Sequence, residues 1–420
     1  MVSVTAPLWV GLLIGAAFSV PASLWGIGNP ETIIRTARLV DRLLIGCFLF
    51  VTAIGAVLLY GLYALGFSMH FSPRPTYLIG VTLGGLMFGA GVAVSGYFPG
   101  TEMIALGEGR RDVLAALPGG LLGAAAWTAL YQTDVGRWLV HTADFGNLVA
   151  TGDIANIRPI PMLLIAITYA AVSLTLLYRL PRYQGGEHSC MQHLRRANRP
   201  VDAHDQTCTD DTAAYLDEGV AVPAWAGNGS RLSRLASQRV SNGNFFAWTT
   251  AMAALFVAVI VVLSLFLRQP FGMSTTYSWV VGHLFMPGFD YSREVFATIG
   301  WEPLVVAGVL LGSLFSALFV SRRFNAFRPV VPPSWRNRFG PSRAKRAAAC
   351  FVGSFFVLFG ARMAGGCTSG HTLSGGVQLS VSAWLFTAAL LGAMFLTARL
   401  VYSDSSWRVT PVSRRASTAP

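Results

Sequence analysis

Nine predominantly apolar stretches of about 20 residues recur along this 420-residue chain, and each is long enough to cross a hydrocarbon layer as a helix. They fall at roughly 8–28, 43–66, 77–96, 113–131, 159–179, 246–267, 302–320, 347–365 and 377–399. Backbone N–H and C=O groups in lipid must be bonded within the protein, which at this segment length means helices. Composition agrees: 53% of the residues are hydrophobic and 12% charged, against about a quarter charged in soluble domains. The expected fold is an all-α polytopic membrane protein surrounded by lipid bilayer. The first apolar run has no basic residues before it and continues at full length, unlike a cleavable signal. Five cysteines, mostly in or beside apolar runs, make no disulfide framework.

Charge orients the bundle. With the N-terminus outside, 25 of the 31 Lys and Arg residues fall on one side, including Arg35, Arg38, Arg42, Arg110, Arg111 and the run 322–346. Arg74, Arg137, Arg158, Arg268 and Arg293 fall on the other. Basic loops stay cytoplasmic, so the expected location is the inner (cytoplasmic) membrane, with the N-terminus outside and the C-terminus cytoplasmic. The net charge of +12 is thereby accounted for and gives no reason to expect a nucleic-acid partner. One basic residue, Arg362, is left inside a crossing.

The chain divides into a membrane half at 1–181, a polar linker at 182–245, a second membrane half at 246–402 and a tail at 403–420. The linker is rich in Arg, Asp, Gly and Ser and suits a solvated cytoplasmic connection. Its His188, Cys190, His193, His204 and Cys208 match no ordinary zinc-finger spacing, and no metal or other cofactor is expected.

The two halves echo each other. FGAGVAVSGYFPGT (88–101) and FGARMAGGCTSGHT (359–372) both run from Phe-Gly-Ala through small residues into a loop. With a two-residue gap, Gly96-Tyr97-Phe98-Pro99-Gly100-Thr101 falls against Gly365-Gly366-Cys367-Thr368-Ser369-Gly370. The first helix ends toward the cytoplasm and the second toward the outside. Two like units of opposite orientation form an inverted repeat, the architecture that sets a substrate site near the midplane between broken helices. A second pair of interruptions, WGIGNPETIIRTARL (25–39) and RQPFGMSTTYSWVVGHLF (268–285), reads either as short re-entrant helices or as surface turns. The first leaves its crossing through Gly26, Gly28 and Asn29 and restarts with Pro30 and Glu31 as a good helix opening, and Ser274, Thr275 and Thr276 are the N-cap candidates of the second.

The stretch GARMAGGCTSGHTLSGG (360–376) carries the strongest functional signal. Gly360, Gly365 and Gly366 fit close helix packing. Arg362 costs at least about 2.5–3.5 kcal/mol at mid-bilayer unless paired or hydrated, so it either snorkels to the outer interface or serves a function. Cys367, beside Thr368, Ser369, Gly370 and His371, sits at a helix break. Freed N–H groups and hydroxyls suit oxyanion oxygens, a polarisable thiol suits a soft sulfur atom, and Arg362 offsets negative charge. The group suggests passage of a small sulfur-containing anion or of sulfide. No nucleophile with its own base and orienting acid stands out, so an enzyme is not expected. His371, four residues from Cys367, leaves open a sulfur carrier with an activated thiol, and the linker leaves open a sensor or assembly subunit.

At these residues the chain closely resembles the YeeE/YedE family of sulfur-compound transporters, whose best-understood members take up thiosulfate. GARMAGGCTSGHTLSGG resembles the family signature, GYFPGTEMIALGEGRRD (96–112) its first-half motif, and NPETIIRTARL and RQPFGMSTTYSW two further segments. The resemblance implies two pseudo-symmetric halves whose re-entrant helices meet centrally, a cysteine-lined path that passes thiosulfate without chemistry, and a small cytoplasmic sulfurtransferase as partner. It places Asn29, Phe98, Pro99, Gly100, Thr101, Ser274 and Thr275 on that path beside Cys367. The chain departs from the family at Phe98, where members usually carry cysteine, and it has no cysteine before Asn29. Cys47 and Cys350 match no family motif position, so a three-thiol relay does not carry over.

The charge distribution makes a direct prediction. A cysteine introduced near Asn147 should react with an impermeant thiol reagent added outside, and one near Gly229 should be spared; the opposite pattern refutes the orientation.

Overall fold

The computed structural model describes residues 4–39, 41–180, 245–246, 248–320, 324–329 and 331–402. The histidines and cysteines weighed above for zinc, and the tail from 403, lie outside the described residues. The first half contains α1 (Val10–Trp25), α2 (Pro30–Ala37), α3 (Leu43–Ala64), α4 (Leu78–Ser95), α5 (Pro99–Gly107), α6 (Val113–Tyr131), α7 (Asp134–His141) and α8 (Pro159–Arg179). A two-stranded hairpin, β1 (Leu148–Val149) and β2 (Gly152–Asp153), precedes α8. The second half contains α9 (Trp248–Leu267), α10 (Thr275–Leu284), α11 (Asp290–Thr298), α12 (Glu302–Phe315), α13 (Pro333–Phe339), α14 (Arg343–Met363), α15 (Ser369–Gly375, wound as a π-helix) and α16 (Val381–Val401).

Among the described residues, eight spans are long and apolar enough to cross a membrane, and the bent pair α1 and α2, counted as one span, makes a ninth. The two re-entry candidates are helices rather than surface turns: all eight residues of α2 are buried, and α10 buries its first four residues. The breaks differ in shape. α2 turns 69° from α1, whereas α4 and α5 form one interrupted span, Leu78–Gly107, and no hairpin.

Glycine makes the breaks. Gly26, Gly96 and Gly365 follow α1, α4 and α14 with φ of 66°, 73° and 76°, the left-handed conformation that ends a helix without a Cβ penalty. Pro30 and Pro99 then restart α2 and α5, because a proline at the first helical position loses no hydrogen bond that the helix would make.

The packing is symmetric under exchange of the halves. α1 packs on α12 as α9 packs on α3, α4 on α16 as α14 on α6, α5 on α12 as α15 on α3, and α2 on α16 as α10 on α6. The pairs α4–α14 and α1–α9 map onto themselves. α8 stands outside this scheme and packs on α3. Among the described residues five spans precede α9, an odd number, which starts the second unit on the side opposite to α1.

At the centre, α4 and α14 cross backbone to backbone. A Cβ on Gly353 would lie 2.7 Å from Ser95 N and 2.8 Å from Gly91 O, and one on Gly91 would lie 2.8 Å from Val357 N. Such close approach is the main source of helix attraction in lipid, where apolar burial between helices gains little. Gly353→Leu should therefore destabilise the protein by about 1–3 kcal/mol or more, read as a lower unfolding temperature in detergent. An unchanged transition would show that the crossing tolerates a side chain.

Candidate functional site

The second-half loop is built around His371. Its Nε2 lies 2.8 Å from Ala364 O, to which it donates, and its ring stacks on Phe386 at 4.6 Å and 19°. The imidazole thus ties the end of α14 to the start of α15. Cys367 is buried, and its Sγ lies 3.0 Å from Ser369 Oγ. His371 engages Ala364 and Phe386 rather than the thiol, so the arrangement of an activated Cys367–His371 pair is not formed.

Arg362 does not snorkel; it is 3% exposed. Its Nη2 donates to Ser274 Oγ at 2.9 Å and to Ala361 O at 3.4 Å, and its Nε is buried without a partner. The capping expectation at α10 needs correction. Glu302 Oε1 accepts from the backbone N–H of Thr275 at 2.6 Å and of Thr276 at 3.3 Å, while Ser274 makes no side-chain cap. A carboxylate is the stronger acceptor for a helix N-terminus, and it leaves the Ser274 hydroxyl for Arg362. Asn29 caps α2, its Oδ1 accepting from Glu31 N at 3.0 Å.

The first-half loop is held by Thr101, whose Oγ1 accepts from Phe98 N at 2.8 Å and donates to Phe98 O at 3.0 Å. Pro99 opens α5, and Gly100 leaves room for the Met273 side chain, which a Cβ would strike. Phe98 stacks on Phe88 at 5.8 Å and meets Phe48 edge-on at 6.4 Å. Phe88 in turn meets Phe386 at 5.4 Å. A run of rings, Phe48–Phe98–Phe88–Phe386–His371, therefore joins the two loops.

Both loops line one predominantly apolar cavity between the halves. Phe98, Gly100 and Thr101 contribute from one side, Thr368 and Ser369 from the other, and α3 adds Cys47 and Phe48. Met273, from the segment before α10, lies on the same wall. Asn29, Pro99, Arg362, Ser274, Thr275, Gly370, His371 and Cys367 are not on its surface; Cys367 shares a buried apolar cluster with Phe98. Motif reasoning missed Cys47 and Met273, which carry soft sulfur into the cavity, and it missed Arg74. The Arg74 Nε lies 3.6 Å from where a Cβ on Gly366 would stand and 3.9 Å from that on Gly370, so its guanidinium covers the signature loop. Its place among the five basic residues on the charge-poor side was the available signal.

Replacing Phe98 by Ala would empty the middle of the ring run. The expected loss is about 3–5 kcal/mol, with Phe98→Cys somewhat milder, measured by thermal unfolding in detergent. A Phe98→Ala protein as stable as the wild type would show that the ring does not hold the loops together.

Residues 34–396 match the sulphur transport family, a range that begins inside α2, after the α1–α2 break, and contains both loops. Over 381 residues the chain is 23% identical to the thiosulfate transporter TsuA of Spirochaeta thermophila, covering 90% of this chain and 94% of that protein. The match runs through both halves, as the paired loops and the exchange-symmetric packing do, and the chain belongs to the sulphur transport family, a sulfur-compound transporter of the membrane.

Proposed function

We propose that the protein is an inner-membrane permease for a small sulfur oxyanion, thiosulfate or a close relative, which passes inward between the two loops without covalent chemistry. The observation that carries this reading is the single cavity lined by Phe98, Gly100 and Thr101 from one half and by Thr368 and Ser369 from the other. The relative named a thiosulfate transporter supports the substrate class.

The residues divide the work by chemistry. Arg74 and Arg362 supply positive charge around the Gly366–His371 loop, which draws an anion and lowers its cost in a poorly hydrated site. Thr368, Ser369 and Thr101 offer hydroxyls to oxyanion oxygens, and Cys367, Cys47 and Met273 offer polarisable sulfur to a terminal sulfur atom. Phe98, at the position where the family resemblance leads one to expect cysteine, makes this part of the cavity wall apolar. Chemistry on Cys367 would need a base, and its neighbour is the hydroxyl of Ser369. The basic side faces the cytoplasm, with residues 182–245 and the tail on that side.

Purified protein in liposomes should take up labelled thiosulfate. Arg74→Gln and Arg362→Gln should each slow it by about tenfold, the lower end of electrostatic effects on association, while neutral hydrogen sulfide is little affected. Cys367→Ser should keep reduced uptake. A protein that moves neither thiosulfate, sulfite nor sulfide, or a stable persulfide on Cys367 during turnover, would defeat this reading.

A further inference from the structure

Glu102 is a carboxyl at membrane depth that the anion path leaves unused. It is 0% exposed and lies on α5 directly after Gly100 and Thr101, which line the cavity. Its Oε2 accepts from Tyr277 Oη of α10 at 2.5 Å, and its Oε1 accepts a short hydrogen bond from Ser354 Oγ of α14. Ser354 stands eight residues from Arg346 and eight from Arg362, about 12 Å of helix rise either way. The carboxyl therefore sits near the middle of the span.

Among the described residues no cation is paired with it. Arg346 is bound to Asp112, and Arg362 to Ser274. The titratable groups facing Glu102 are Tyr277 from α10 and Cys350 from α14, with Cys367 beyond Tyr277. α1 contributes no acid or base and α6 none along its buried face; Glu302 of α12 caps α10, and Asp112 is held by Arg346. Ionisable groups held inside a membrane bundle without a fixed counter-ion are the parts from which proton relays are made.

We propose that Glu102 is a proton-binding site that couples passage of the sulfur anion to movement of a proton. This rests on the reading of the chain as an anion permease, since an inside-negative membrane opposes an entering anion and a co-moving proton offsets part of its charge. Tyr277 supplies the link. With Glu102 ionised, the phenol donates to the carboxylate. With a proton on Oε2, the acid donates to Tyr277 Oη, and the phenol turns its own hydrogen to Pro99 O, 3.4 Å away. Pro99 opens α5 beside Phe98, so the proton is registered at the loop the anion passes.

The test uses full-length protein in liposomes with the membrane potential clamped. An inward proton gradient of one pH unit should raise thiosulfate accumulation about tenfold per coupled proton, and thiosulfate should draw protons from the medium. Glu102→Gln should lose both responses while still exchanging labelled for unlabelled thiosulfate; Glu102→Asp, which keeps the carboxyl, should retain coupling. Wild-type accumulation that ignores the gradient, or coupling that survives in Glu102→Gln, overturns the proposal. Infrared difference spectra between acid and alkaline pH separate it from the transport reading. A carboxylic-acid band shifted in Glu102→Asp and absent in Glu102→Gln supports the proton site even if no thiosulfate moves, and its absence from the wild type overturns the site even if thiosulfate does.

Discussion

Lipid supplies no hydrogen bonds, and every interrupted helix here is shaped by that lack. Each break frees N–H and C=O groups, and leaving one buried and unpaired costs about 1–3 kcal/mol. Polar residues beside the breaks answer this need first. Asn29 serves α2, Thr101 serves α5, Glu302 serves α10 and His371 takes Ala364 O. After α15, Gln378 accepts from Ser72 N and donates to Ser374 O, while Tyr60 Oη donates to the Gln378 carbonyl. A residue such as His371 is thus required by the loop's geometry before any passing molecule is considered.

α14 carries two buried arginines handled in opposite ways. Arg346 donates to Asp112 Oδ2 through both Nε and Nη2 and to the carbonyls of Ser95 and Val94, and Tyr97 Oη holds the other Asp112 oxygen. That cation is neutralised and locked. Arg362 donates only to a hydroxyl and a carbonyl, and its Nε has no partner. One helix therefore uses the same side chain once as a fastener ion-paired to a carboxylate and once as a buried cation hydrogen-bonded to a hydroxyl and a carbonyl.

Much of this was legible in the chain. The nine apolar runs lie where the spans are, because length and hydropathy are local properties. The Pro30 restart and the paired loops were legible for the same reason. What joins distant segments was not. Glu302 caps α10 from 27 residues away, and nothing in STTYSW announces it, since Ser274 is an equally good local cap. The Cys47 side chain reaches the cavity because α3 packs against α15, a fact of tertiary placement that no motif encodes. Arg74 belongs to a loop whose path over Gly366 is set by bonds such as Ser382 Oγ to Arg74 O. Cys367 was legible as a motif residue, but its hydroxyl neighbour rather than its histidine turned out to be the partner.

α8, which has no counterpart among the described residues, bears on how such a fold is encoded. The repeated unit itself contributes four spans, α1, α3, α4 and α6 in one half and α9, α12, α14 and α16 in the other. Four crossings bring a polypeptide back to the side it left, so two units joined directly would insert pointing the same way, and the α4–α14 crossing would have no antiparallel partner. Made as two separate chains, the unit would need to insert in both directions. A single extra helix removes that requirement: it lets one reading frame hold both orientations, in fixed one-to-one proportion, and frees each half to diverge, so that a phenylalanine can stand in one loop while a cysteine stands in the other.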